Sequence, residues 1–230
     1  MDKAAIFDMD GTLVDSFEAH WISWDVIARE NNVVYTRQMY DKSFGRSFTA
    51  IVDLFWARDG IARKPGEPIQ FSPDEMRAMD KRKEQIYRDA FRDNFVIMPG
   101  AIGFLNRLKE AGYKIAIGTS GPQDNLDMVL DLMPIRNIIE ATVAAEDVTR
   151  CKPAPDIFLK AAQKLGVPAS RCCVFEDSDS GIQAAVAANM PAVGIYKPEY
   201  SYSTLEQARY RIQSFDELSV QQIDELLSTN

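Results

Sequence analysis

From Ala101 onward the chain switches repeatedly between two hydrophobic rhythms. A helical period through Ile102, Phe104, Leu105 and Leu108 stops at Gly112, and residues 113–118 then read as a strand. Helices over 122–132, 155–165 and 180–188 alternate with strands over 141–144, 172–175 and 192–195. The strands are short and, apart from Lys114 and Thr142, apolar, and their alternation with helices is the pattern of a sheet covered on both faces. Such strands, joined through helices, pair as a parallel sheet with right-handed crossovers. Residues 4–7 supply one more strand of this kind. The tail over 216–227 carries Leu218, Ile223, Leu226 and Leu227 at helical offsets.

The stretch between the first strand and Met98-Pro99-Gly100 follows a different plan. Phe17, Trp21, Trp24 and Ile27 recur with a helical period over 16–32, a second helix is expected over 36–42, and a third runs through Ile51, Leu54 and Phe55. Residues 57–73 contain Asp59-Gly60, Lys64-Pro65-Gly66 and Pro68 and read as a long loop; a charged helix over 73–93 follows. No strand is expected between 16 and 94. The chain is therefore read as a doubly wound, Rossmann-like parallel-sheet α/β core, residues 1–15 and 96–230, carrying an inserted helical domain over 16–95. At 230 residues, 46% of them hydrophobic, it has material enough for a sizeable core.

Charge and composition exclude several classes. A net charge of −8 argues against a general nucleic-acid surface. It leaves room for a small anionic substrate where a bound cation dominates locally. Three cysteines, Cys151, Cys172 and Cys173, are odd in number and two are adjacent, which suits a reducing compartment better than a disulfide framework. No apolar run is long enough to cross a bilayer, and the N-terminus opens directly into a strand. A soluble cytoplasmic protein without membrane partners, a monomer or weak homodimer, is expected. With His20 as the single histidine, a Ser-His-Asp hydrolase or a His-ligated zinc site is disfavoured, and carboxylate chemistry with a hard cation becomes the natural alternative.

Four stretches fall at the ends of expected core strands, where ligands bind in open α/β sheets. Asp8-Met9-Asp10-Gly11 places two carboxylates and a turn-permitting glycine after the first strand; alone it reads equally as a solvated turn. Gly118-Thr119-Ser120-Gly121-Pro122 puts two hydroxyls before a helix, where they and the neighbouring amides suit a phosphate, or serve as a plain cap. Lys152-Pro153 precedes another helix, where a lone lysine is usually a solvated charge. Glu176-Asp177-Ser178-Asp179 offers three acids where one would cap a helix, and the excess favours a cation.

Asp8-Met9-Asp10-Gly11-Thr12, Thr119-Ser120-Gly121, Lys152-Pro153, and Glu176-Asp177-Ser178 with Gly181 stand in this order across nearly all of the core. In them the sequence resembles the haloacid dehalogenase superfamily of phosphohydrolases. It looks most similar to the branch holding β-phosphoglucomutase and small sugar-phosphate or phosphoglycolate phosphatases, whose helical cap is inserted in the same place. The resemblance implies that Asp8 is the nucleophile and forms an aspartyl phosphate. It implies that Asp10 is the general acid and base. Mg2+ is implied at Asp8, the carbonyl of Asp10 and Asp177, with Glu176 as a further or outlying ligand. Thr119 and Ser120 would hold phosphoryl oxygens, and Lys152 would offset crowded negative charge. Asp15, Asp156 and Asp179 read as caps or supporting groups.

Within the insert, His20 either orients Asp10 and the linker or is satisfied structurally, and Trp24 shares its face. Arg46, in Gly45-Arg46-Ser47, is the candidate to reach a second phosphate or carboxylate of the substrate, with a solvated arginine as the equal alternative. Trp21, Trp24, Phe44, Phe48, Phe55 and Trp56 read as core of the insert. The expected activity is Mg2+-dependent hydrolysis of a small phosphorylated metabolite. A phosphomutase is the alternative; a phosphonate hydrolase using Lys42 or Lys64 and a non-catalytic binding protein are further removed.

Overall fold

A computed structural model of the chain describes residues 2–43, 47–55, 71–198 and 203–228. The chain divides into two compact units, residues 1–15 with 96–230, and residues 16–95.

Among the described residues of the first unit, six strands form one parallel sheet in the order β3-β2-β1-β4-β5-β6. The strands are β1 (Lys3–Phe7), β2 (Tyr113–Gly118), β3 (Ala141–Val143), β4 (Cys172–Glu176), β5 (Ala192–Ile195) and β6 (Tyr210–Ile212). Helices α5 (Ala101–Glu110), α6 (Gln123–Leu132), α7 (Asp156–Leu165), α8 (Asp179–Ala187) and α9 (Val220–Ser228) join or follow them. The α/β expectation holds: the order reverses at β1, whose neighbours are β2 and β4, so the crevice above its carboxyl end is a topological switch point.

The pleat explains how one short apolar strand serves two layers. Ala4 and Ile6 join a buried cluster with Ile157, Phe158 and Ala161 of α7 and Ile182 and Ala185 of α8. Phe7 turns to the other face, stacking on Phe175 at 4.3 Å between centroids and meeting Phe104 of α5 edge-on at 6.5 Å. Phe215 closes this aromatic group, 5.5 Å from Phe104. Each such pair contributes roughly 0.5–1.5 kcal/mol beyond the area it buries. Gly112 at φ 80° and Gly166 at φ 66° take the left-handed conformation just after α5 and α7.

Two elements depart from the sequence reading. β6 has three residues and only Ile212 of them is buried, which is too short a run to show a period. The tail helix starts at Val220 rather than 216, because Phe215–Glu217 forms a separate 3-10 turn capped by Ser214.

The second unit is all-helical among its described residues: α1 (Phe17–Glu30), α2 (Arg37–Ser43), α3 (Phe48–Phe55) and α4 (Pro73–Asp93). Ser72 and Glu75 form a reciprocal capping box at the start of α4, Glu75 N donating to Ser72 Oγ at 3.3 Å and Ser72 N to Glu75 Oε2 at 2.8 Å. α1 packs against α4, burying Trp24, Ile27 and Ala28 on one helix and Met79, Ile86, Tyr87 and Phe91 on the other. No helix among the described residues is long and apolar enough to cross a membrane.

Candidate active site

The carboxyl ends of β1 and β4 carry the acids. Asp8 follows β1 directly and extends its ladder, with Asp8 N donating to Phe175 O at 2.9 Å. The chain then turns back on itself: Leu13 N donates to Met9 O at 2.9 Å and Gly11 N to Val14 O at 2.8 Å. Gly11 sits at φ 76°, and a Cβ built there would lie 1.9 Å from Asp177 Oδ2. The glycine is thus needed twice, for the left-handed turn and for the carboxylate resting against it.

Glu176 ends β4 and is almost fully buried. Its carboxylate accepts from Ser178 N at 2.8 Å and Ser178 Oγ at 2.9 Å. It lies over Gly181 in the first turn of α8, where a Cβ would come within 1.9 Å of it. The Lys152 side chain, 6% exposed, donates to Asp8 Oδ1 and to Glu176 Oε1, each at 2.5 Å. A lysine far from both strands in sequence therefore bridges the ends of β1 and β4.

The electrostatics follow from this crowding. Burial pushes the Asp8 carboxyl up to about 7; Lys152 opposes the shift, while Glu176 and Asp10 add to it. Asp177 is raised well above the usual carboxylate range by burial, then by Glu176 and Asp8. Burial works against the Lys152 charge, but Asp8 and Glu176 overcome it and hold the ammonium above its ordinary range. Ligand oxygens of Asp8, Glu176 and Asp177 all lie within 4.8 Å of one another. Three hard oxygen donors, two of them disfavoured as bare anions, fit a divalent cation of the Mg2+ kind.

The end of β2 completes the group. Thr119 is buried and its Oγ1 accepts from Gly121 N at 3.0 Å. A Cβ on Gly121 would lie 3.3 Å from Thr119 Oγ1 and 3.6 Å from Asp10 Oδ2, so hydroxyl and carboxylate meet beside this glycine. Ser120 is exposed next to them. The fold thus brings Asp8, Asp10, Thr119, Lys152, Glu176 and Asp177 to the carboxyl ends of β1, β2 and β4. The remaining acids have other partners. Asp15 pairs with Lys197, Asp156 with Arg150 at 2.8 Å, and Asp179 accepts from Thr204 N at 3.1 Å and Leu205 N at 2.8 Å.

His20 lies in the helical unit, stacked on Tyr87 with 4.1 Å between centroids. Its Nδ1 is 3.1 Å from Lys83 Nζ, and Lys83 also donates to Glu84 Oε1 at 2.8 Å. Lys83 is 5% exposed and escaped the sequence reading because Lys81-Arg82-Lys83 looks like a solvated run. A signal was available: Lys83 shares the helical face of Met79, Ile86 and Tyr87. Arg46, Phe44, Trp56 and nearly all of the 57–73 loop lie outside the described residues.

Comparison with known proteins shows the family of the chain. The profile of haloacid dehalogenase-like hydrolases matches residues 3–189. Protein CbbY of Rhodobacter capsulatus is 29% identical over 97% of this chain and 98% of its own length. The fructose-1-phosphate phosphatase YqaB of Escherichia coli (strain K12) is 31% identical over 83% of this chain and 94% of its own. The crystal structure of β-phosphoglucomutase from Clostridium difficile superposes with a TM-score of 0.83 at 25% identity, covering 100% of this chain and 98% of that one.

Proposed function

The chain belongs to the haloacid dehalogenase-like hydrolase family and is a hydrolytic enzyme, and we propose that it removes phosphate from a small phosphorylated metabolite of the sugar-phosphate type. The observation that carries this reading is the buried Asp8 carboxylate at the end of β1, held by Lys152 at 2.5 Å beside Glu176 and Asp177. Fructose-1-phosphate phosphatase YqaB, similar over most of both chains, supports the substrate class.

In this mechanism Asp8 attacks phosphorus and forms an aspartyl phosphate, which divides one difficult displacement into two easier ones. Asp10 gives a proton to the departing alkoxide and later takes one from the water that releases phosphate. Thr119 Oγ1, with the amides that follow it, holds equatorial phosphoryl oxygens. Lys152 favours the ionised form of Asp8 against burial and aims its carboxylate, and its charge offsets that of the incoming phosphate. Asp8, the carbonyl of Asp10 and Asp177 would hold Mg2+, which would supply Lewis-acid neutralisation of negative charge on the phosphate. Glu176 serves mainly to position Lys152, since Ser178 and Lys152 already occupy its carboxylate. Arg46 and His20 are proposed as further substrate-binding residues, His20 being stacked on Tyr87 with its Nδ1 3.1 Å from Lys83 Nζ.

The test is phosphate release from a panel of sugar phosphates, phosphoglycolate and small phosphomonoesters in the presence of Mg2+. At least one compound is hydrolysed, and Asp8→Asn abolishes the reaction; full activity in that variant refutes the nucleophile. A phosphomutase is the second reading, supported by the C. difficile enzyme. It predicts glucose 6-phosphate rather than free phosphate from β-glucose 1-phosphate with a trace of the bisphosphate.

A further inference from the structure

The two oxygens of Glu176 go to two different neighbours. Oε1 accepts from Lys152 Nζ at 2.5 Å, and Lys152 Nζ donates in turn to Asp8 Oδ1 at 2.5 Å. Oε2 accepts twice from one residue, from Ser178 N at 2.8 Å and from Ser178 Oγ at 2.9 Å. An unbroken run of hydrogen bonds therefore leads from the Ser178 hydroxyl through Glu176 and Lys152 to Asp8. Asp8, Glu176 and Ser178 are buried and the Lys152 side chain nearly so, which leaves little room for water to replace a missing link.

Ser178 is also the N-cap of α8, with φ −117° and ψ 147°, and its Oγ accepts from Gly181 N at 3.1 Å. Capping needs only a lone pair of that oxygen. The hydroxyl proton is surplus to it, and this proton goes to Glu176. With the proton committed, the contact to Ser180 Oγ at 3.2 Å has Ser180 as donor. The hydroxyl is thus fixed by two incoming bonds and one outgoing bond, the last to a charged acceptor, the stronger kind. A carboxylate held at one oxygen swings about its Cγ–Cδ bond. Glu176 is gripped at Oε2 by a hydroxyl and an amide, so Oε1 stays on Lys152.

We propose that Ser178 is a positioning residue of the phosphoryl site: its hydroxyl locks the Glu176 carboxylate, which keeps Lys152 on Asp8 and Asp8 aimed at phosphorus. The inference rests on the phosphatase reading, in which Asp8 is the nucleophile. Threonine and glycine are about equal as N-caps, but only threonine retains a hydroxyl to donate. The extended backbone at Ser178 suits the branched side chain. A role confined to capping therefore makes the two substitutions alike, and a positioning role separates them.

The experiment measures kcat and KM for p-nitrophenyl phosphate and fructose 1-phosphate with Mg2+ in the wild type, Ser178→Gly and Ser178→Thr. Ser72→Gly, which removes the N-cap side chain of α4, is the control. Ser178→Gly lowers kcat about tenfold to a hundredfold with KM unchanged, as a misplaced reacting group does. Ser178→Thr and Ser72→Gly keep it. The proton–nitrogen correlation signal of the Lys152 ammonium, identified by its absence in Lys152→Gln, reads the same bonds without turnover: it shifts and broadens in Ser178→Gly and is retained in Ser178→Thr. If Ser178→Thr does not fold, Ser178→Gly against Ser72→Gly decides. If neither compound is hydrolysed and the ammonium signal still follows the hydroxyl, the phosphatase reading fails and the positioning of Lys152 by Ser178 stands. A Ser178→Gly protein with the kcat and the ammonium signal of Ser72→Gly overturns the proposal, and so does a folded Ser178→Thr protein no more active than Ser178→Gly.

Discussion

Gly181→Ala sets two effects of known sign against each other. In a helix interior alanine is worth about 0.5–1 kcal/mol over glycine, and Gly181 needs no left-handed backbone, so propensity alone predicts a more stable protein. The new Cβ, however, would lie 1.9 Å from Glu176 Cδ and Oε1. Ordinary contact begins near 3.4 Å, so the carboxylate must withdraw by about 1.5 Å. That breaks or stretches its bonds to Ser178 N at 2.8 Å, Ser178 Oγ at 2.9 Å and Lys152 Nζ at 2.5 Å. Hydrogen bonds to a charged group contribute roughly 1.5–3 kcal/mol each. Losing two of the three costs about 3–6 kcal/mol, several times the propensity gain. The expected Tm falls by about 5–20 °C, at roughly 2–4 °C per kcal/mol for a chain of this size. Lys152 loses one of its two anchors, and a displacement of about 1 Å at a positioning group lowers turnover on the order of a hundredfold. Gly103→Ala on α5 is the control: its Cβ meets only Arg107 Nη1, at 3.5 Å. That variant gains a few degrees and keeps its activity. Thermal unfolding and phosphate release on both proteins decide the matter. A Gly181→Ala protein as stable and active as Gly103→Ala would refute the reasoning.

Other outcomes follow from the same geometry. Because Asp8 is pushed up to about 7 and Asp177 is also raised, the folded, cation-free protein binds protons that the unfolded chain has already released. Its stability therefore falls as pH rises from about 4 through about 7. Tm measured in EDTA should drop across that range, and added Mg2+ should flatten the drop; a flat profile in EDTA contradicts the assignment. In the helical unit, Lys83→Met removes a cation that donates to Glu84 and lies 3.1 Å from His20 Nδ1, at an expected cost of about 1–3 kcal/mol. Lys83→Met with Glu84→Gln should recover part of it in urea unfolding, and a Lys83→Met protein more stable than the wild type would show that the pairing contributes nothing.

The α/β class was legible because a strand buried on both faces leaves few choices. Ala4–Phe7, Cys172–Phe175 and, after Lys114, Ile115–Gly118 are apolar runs, and helices of period 3.6 between them compel parallel pairing. β6 was not legible, since three residues with one buried side chain carry no period. Composition also pointed to carboxylate and cation chemistry, because a chain with one histidine has few alternatives.

What those acids face is a property of the tertiary structure. Asp8-Met9-Asp10-Gly11 is equally a solvated turn until β4 pairs with β1 and brings Glu176 and Asp177 beside it. Lys152 becomes a bridge rather than a surface charge only when the loop before α7 reaches both strand ends, and Lys83 becomes a buried cation only when α4 packs on α1. Glycines 11 and 181 read as turn and helix residues in the sequence, whereas in the fold each is the floor under a carboxylate. Sequence determined the elements, because backbone pairing and apolar periodicity are local. The shifts of Asp8, Asp177 and Lys152 were decided by burial and by charges brought in from distant segments, which no local pattern records.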